Sequence, residues 1–191
     1  ILSTGMSTID EVTEAIGVIA FAMTSSTSAR PSKTSMTAAF ESPEGKKAIN
    51  ERVTLLHCTT DYPTKPEDVN LKAMLTLGDK FKCQVGFSDH SVGVHLAVAA
   101  VAMGATIIEK HLTTNRALPG PDHKASLEPN EFKNLVHQIR ELESALGSGE
   151  KAPTKVEIQN KKIARRSIVA AKQIKIGEVF TKDNIVIKRP G

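Results

Sequence analysis

Tryptophan is missing from this chain, tyrosine occurs once, at Tyr62, and aromatic residues make up only 4% of the 191 positions. A surface that grips nucleic-acid bases by stacking needs more rings than that. Cysteine is almost as scarce: Cys58 and Cys83 are the only two, each in a strand-like stretch and with no C-x-x-C spacing. Such a set excludes a disulfide framework and a cysteine-built zinc site, and both residues are expected to be reduced, packed thiols. No stretch of about 18 apolar residues offers a membrane span. The sequence opens at Ile1 on a strand-like segment with no charged leader or cleavage site, so no signal peptide is expected and the protein is read as cytoplasmic.

What is present is an ordinary globular balance, 40% hydrophobic and 24% charged, which excludes a mostly disordered or fibrous chain. The net charge of +4 is unevenly placed: residues 1–150 hold 14 Lys/Arg against 18 Asp/Glu, and residues 151–191 hold 11 against 3. The C-terminal fifth is therefore a basic module. With only Phe180 among its aromatics, it suits an anionic small molecule or an acidic partner surface better than nucleic acid.

Four short strand-like segments end in small or polar residues: Ile1–Gly5, Val53–Thr59, Gln84–His90 and Thr106–Thr113. Helical patterns separate them. The first is expected to start at Ser7 as N-cap, with Asp10 three residues on and Ile9, Val12, Ile16 and Ile19 at helical spacing. Asp68–Leu77 and Val92–Met103 predict shorter helices, and Glu128-Pro129-Asn130 leads into a long one stopped by Gly147. Alternation of this kind implies parallel strands with crossover helices. Four such units make half of an eight-stranded (β/α) barrel, a fold of about 250 residues, so the sequence is expected to be part of a longer protein. Thr24–Pro43, rich in Ser and Thr, reads as a surface insertion that could serve as a lid, with a short helix following over Pro43–Asn50. Gly147–Lys162 reads as a polar linker, and the segment after it holds two β-like runs, Ser167–Ala171 and Asn184–Lys188.

His90 and His111 end the third and fourth strands, on what would be the working face of a barrel. Counting back by two along each strand puts Ser88 beside His90 and Glu109 beside His111 on one face, with adjacent strands about 4.8 Å apart. Two imidazoles from neighbouring strand ends can share one divalent ion, with water and substrate oxygens completing its shell. Two hydrogen-bonded structural histidines would have the same spacing. The other histidines, His57, His95, His123 and His137, are read as structural or exposed.

The segments GFSDHSVG (Gly86–Gly93), IIEKHLT (Ile107–Thr113) and LPGPDHKASLEP (Leu118–Pro129) resemble the bacterial sialic acid synthase family, which includes legionaminic and pseudaminic acid synthases. ILSTGMSTIDE (Ile1–Glu11) and HCTTDYPTKPEDVNL (His57–Leu71) fit it in the same order, and Ala164–Gly191 is similar to the start of its antifreeze-like (SAF) domain. The resemblance implies an α/β fold: residues 1–147 as the C-terminal half of a (β/α)8 TIM barrel with an insertion at 24–43, a linker at 148–162, and the beginning of a small β-rich SAF domain at 163–191. It further implies metal-dependent condensation of phosphoenolpyruvate with N-acetylmannosamine or a related amino sugar to give a nonulosonic acid and phosphate. A manganese or magnesium ion would be held by His90 and His111, with Glu109 tuning the site. Ser3 and Ser88 would hold the phosphate of phosphoenolpyruvate, and Tyr62 and Asp122 would contact the sugar. Thr60 stands where many members carry Asn.

The resemblance also implies a homodimer in which the SAF domain covers the partner's active site, with Arg189 reaching that site. This segment alone is expected to be inactive, because the lysines that neutralise phosphoenolpyruvate belong to the first half of the barrel. The acceptor sugar stays open between N-acetylmannosamine and a bacterial di-N-acetylated sugar. Two other classes remain: a non-catalytic sugar-phosphate binding module and a basic module for an acidic partner.

Overall fold

Leu2–Ser3 (β1), Thr54–His57 (β2), Gln84–Asp89 (β3) and Ile108–Lys110 (β4) form one four-stranded sheet in the order β1-β2-β3-β4, every pair parallel. The structure is a computed structural model; it describes residues 1–189 and divides the chain into two compact units, Ile1–Gly147 and Ser148–Gly191. The last two residues of the expected SAF segment, Pro190 and Gly191, lie outside the described residues.

Each crossover in the first unit is helical. Ile9–Thr24 (α1), Lys33–Glu41 (α2) and Pro43–Arg52 (α3) join β1 to β2; Pro66–Val69 (α4) and Lys72–Phe81 (α5) join β2 to β3; His95–Ala102 (α6) joins β3 to β4; and Pro129–Leu146 (α7) follows β4. Side-chain alternation sends Leu55, Val85, Phe87 and Ile108 toward these helices. There Ile16, Ala20, Ile49, Leu77 and Phe81 close one core over Leu55, while Val69, Met74 and Ala100 close another over Phe87. Each fully buried large side chain contributes about 1.5–3 kcal/mol relative to exposure.

Several helix ends differ from expectation. The N-cap of α1 is Thr8, not Ser7: its hydroxyl accepts from the Glu11 N–H while the Glu11 carboxylate accepts from the Thr8 N–H, a reciprocal pair that Asp10 cannot make from one residue earlier. The helix expected over Asp68–Leu77 is two, because Asn70 sits at φ 47° and turns the chain between α4 and α5. The Thr24–Pro43 segment is largely helical: α1 extends to Thr24, and α2 packs on α1 with Phe40 against Phe81, ring centres 6.1 Å apart. Gly147 closes α7 at φ 61°, a left-handed value that glycine takes without strain.

In the second unit the expected linker contains a helix, Lys155–Ala164 (α8), capped by Thr154 and Glu157 in the same reciprocal way. Ser167–Ala170 (β5) and Ile185–Lys188 (β6) pair antiparallel. Asn184 ties their connection down, accepting from the Thr181 N–H and donating to the Val179 carbonyl.

Candidate active site

Parallel strands present their C-terminal ends together, and at this edge the residues that point away from the helices are polar. Ser88 pairs in register with Glu109, Ser3 with Leu56, and His90 and His111 follow β3 and β4 directly. Ser3, Tyr62, Ser88, His90, Glu109 and His111 line one open cleft of about 480 Å³. Gly86 makes room below it: a β-carbon there would lie 2.5 Å from the Ile107 carbonyl oxygen and 2.6 Å from Leu56 Cδ2.

Around the histidines the contacts are specific. The His90 and His111 rings lie 5.2 Å apart, edge to face at 85°. The Tyr62 ring lies against both, 4.3 Å from His90 and 5.6 Å from His111, and is itself 48% exposed. Ser88, 2% exposed, donates to Glu109 Oε1 at 2.6 Å and sits 3.3 Å from His90 Nε2. The Thr59 carbonyl lies 2.6 Å from His90 Nδ1. A carbonyl can only accept, so Nδ1 carries a proton, and in the neutral ring Nε2 is the nitrogen with the lone pair. The single Ser88 proton is given to Glu109, so the serine oxygen faces His90 Nε2 without donating to it.

A neutral imidazole whose tautomer is fixed by a backbone carbonyl is the form that ligates metals. Ring centres stand about 3.2 Å from a shared ion, so a separation of 5.2 Å suits two ligands of one ion. Among the described residues no three His, Cys, Asp or Glu side chains converge into a closed cage. The cleft thus fits a divalent cation held by two imidazoles, with its remaining positions open to water or substrate oxygen.

Two expected site residues lie elsewhere. Asp122 is exposed in the Leu118–Ser126 loop, where its backbone carbonyl accepts from the Ser126 hydroxyl, and it does not line the cleft. Its loop is nevertheless anchored: Thr113 bonds His123 Nδ1 at 2.7 Å, and Arg116 bonds the Ser126 carbonyl and the Glu131 carboxylate at the start of α7. The Glu128 N–H and Arg116 hold the Glu131 carboxyl below the usual glutamate range. Arg189 is exposed in the second unit.

Sequence reading missed Thr59, the acceptor that orients His90, and the pair Asp89–Lys110 on the opposite face of the same strands. Alternation carries the signal for the pair, since two charges stand where the neighbouring positions are core residues. A second cleft of about 450 Å³ lies between α1 and α2, where Gly17, Met36 and Phe40 form its floor and Glu14, Lys33 and Glu41 its rim, and it holds no histidine. No helix among the described residues is long and apolar enough to cross a membrane.

The N,N'-diacetyllegionaminic acid synthase of Campylobacter jejuni is 46% identical over 190 residues, which is 100% of this chain and 50% of the relative. The enzyme of the same name from Legionella pneumophila is 41% identical over 191 residues, 100% of this chain and 48% of the relative. The human N-acetylneuraminate-9-phosphate synthase is 38% identical over 143 residues, 74% of this chain and 40% of that one. This chain thus spans about half the length of the curated relatives it matches. Among solved structures, the N-acetylneuraminic acid (sialic acid) synthetase of Leptospira borgpetersenii, determined with citrate, superposes with a TM-score of 0.57 at 33% identity, over 87% of this chain and 59% of that one. The sheet of this chain is the C-terminal half of a (β/α) barrel, and it is followed in the sequence by the start of a SAF domain, whose family model matches residues 165–191. With the NeuB family model matching residues 1–151, the chain belongs to the NeuB family.

Proposed function

We propose that the full-length protein condenses phosphoenolpyruvate with an N-acetylated amino sugar, giving a nonulosonic acid and phosphate, and that the acceptor is a di-N-acetylated sugar. The observation that carries the reading is the convergence of His90, His111, Ser88 and Glu109 at two strand ends in a chain of this family. Two relatives named N,N'-diacetyllegionaminic acid synthase, similar across the whole chain, support the di-N-acetylated acceptor over N-acetylmannosamine.

In this reading, C3 of phosphoenolpyruvate forms a bond to the aldehyde carbon of the open-chain sugar. Water adds at C2, and phosphate leaves with cleavage of the C2–O bond. The added water gives up both of its protons, one to the former aldehyde oxygen and one to the departing phosphate, and its oxygen remains as the C2 ketone. A divalent ion, Mn2+ or Mg2+, held by His90 and His111 would polarise the aldehyde oxygen. Ser3 and Ser88 hold the phosphate as hydroxyl donors. For Ser88 this means swinging its proton from Glu109 to a phosphate oxygen, so the Glu109 carboxylate is released as the substrate binds. Thr59 keeps His90 in one tautomer, and Tyr62 places an exposed ring over both histidines to flank the sugar. Asp122 binds sugar hydroxyls from its anchored loop.

A homodimer in which Arg189 reaches the partner's cleft fits the basic character of residues 151–191 and the exposure of that side chain. A cytoplasmic setting fits two free thiols, Cys58 and Cys83. The test is phosphate release by the full-length protein with phosphoenolpyruvate and the sugar. His111→Ala should abolish it while the circular-dichroism spectrum stays that of the parent. Full activity in that variant, or in chelator-stripped protein, overturns the assignment.

A further inference from the structure

Asp89 and Lys110 face each other across β3 and β4 in direct register, Oδ2 to Nζ 3.0 Å, with side chains 0% and 1% exposed. Asp89 immediately precedes His90, and Lys110 immediately precedes His111. Alternation puts the two charges on the helix side of the sheet, opposite the cleft. They are tied to a third residue: Asp89 Oδ1 accepts from the Ser91 N–H at 2.8 Å and from its hydroxyl at 2.6 Å, and Lys110 donates to the Ser91 carbonyl. Asp89 Oδ2 takes no hydrogen bond of its own and is held by charge. Ser91 in turn bridges Thr64, whose N–H donates to the His90 carbonyl at 2.9 Å.

Burying two charges is not an economical route to stability, because apolar residues of similar volume serve as well or better; fixing a unique arrangement is a better-attested use. There is an arrangement here to fix. β4 has only three residues, Ile108–Lys110, and a shift of one would turn Glu109 and His111 to the helix side and Lys110 into the cleft. Such a shift also strips the buried Asp89 carboxylate of its cation. We propose that Asp89, Lys110 and Ser91 form a register clamp, positioning residues that hold His90 and His111 at the separation needed to share a cation. This rests on the reading of those histidines as a cation site, but the clamp has consequences that need no metal.

The test uses full-length protein with Mn2+ as probe. Asp89→Leu/Lys110→Met replaces the pair with apolar side chains of similar volume, and Ser91→Ala keeps both charges but removes the hydroxyl. The double variant should unfold within a few degrees of the parent, yet bind Mn2+ at least about tenfold more weakly in calorimetric titration. Ser91→Ala should weaken binding by about threefold, and Lys110→Arg should retain most of it. A crystal structure of the metal-free double variant should show the His90–His111 separation opened from 5.2 Å or β4 out of register. Parent-like ring separation in that structure, or parent-like Mn2+ affinity in a folded double variant, overturns the clamp. If the double variant does not fold, parent-like affinity and ring separation in Ser91→Ala overturn it instead. A parent that binds no Mn2+ sinks the metal reading alone, and the ring separation still decides the clamp.

Discussion

Replacing Gly86 by alanine should damage the site without touching any residue that contacts substrate. The added methyl would lie 2.5 Å from the Ile107 carbonyl oxygen and 3.1 Å from Ile107 Cβ, where ordinary contacts begin at 3.4 Å. Leu56 Cδ2, at 2.6 Å, is the end of a flexible side chain and can rotate away. The carbonyl cannot, because it accepts the Phe87 N–H at 2.9 Å and so joins β3 to the segment leading into β4. Relief therefore requires that segment to move by roughly 0.9 Å, four residues before His111. Overpacking of this kind costs about 1–3 kcal/mol, which for a domain of this size lowers Tm by about 2–12 °C. His111 moves with its strand, so Mn2+ affinity should fall by about tenfold or more, since a site tolerates only about 0.5 Å of displacement. Thermal unfolding by circular dichroism and a Mn2+ titration on the same full-length variant read the two effects separately. Adding Leu56→Ala should rescue neither, because the carbonyl clash persists. A Gly86→Ala protein with the parent's Tm and the parent's Mn2+ affinity would refute the reasoning.

Thr8→Ala removes the hydroxyl half of the α1 cap and should cost about 1 kcal/mol, seen as a Tm lower by about 2–4 °C with unchanged KM values; a Tm equal to the parent's would mean that the cap is dispensable. Asp122→Ala should raise KM for the amino sugar more than KM for phosphoenolpyruvate, and equal losses for both would mark the residue as part of a turn. Mixing full-length His111→Ala and Arg189→Ala chains should restore activity if Arg189 serves the partner's barrel, since each mixed dimer then has one intact site. No recovery in dimers shown to be mixed rejects the crossed arrangement.

Much of this architecture is legible in the sequence because its signals are local. The β-runs end in polar residues at His90 and His111, and period-two counting places Ser88 and Glu109 with them; the structure brings these four side chains to one cleft. The start of α1 was just as local, since Thr8-Ile9-Asp10-Glu11 contains the T-x-x-E pattern, but Ser7 with Asp10 competes one residue earlier. The same pattern at Thr154 and Glu157 opens α8, hidden inside a segment whose lysines, proline and glycines read as linker. The helix Lys33–Glu41 was obscured differently. Its Ser and Thr residues have weak helical preference, and what fixes it is packing of Phe40 and its neighbours on α1 and α5, a contact between distant parts of the chain. Thr59 gave no signal at all, because it orients His90 through its backbone carbonyl, which every residue has.

The central claim, that this chain carries the cation site of a nonulosonic acid synthase, is tested most directly by supplying the full-length protein with phosphoenolpyruvate and a panel of amino sugars. Phosphate release is followed while the sugar product is weighed by mass spectrometry. The account predicts one phosphate per new nonulosonic acid, the highest kcat/KM with the di-N-acetylated sugar, loss of turnover on chelation and recovery with Mn2+. Folded, Mn2+-loaded protein that releases no phosphate with any sugar of the panel would contradict it.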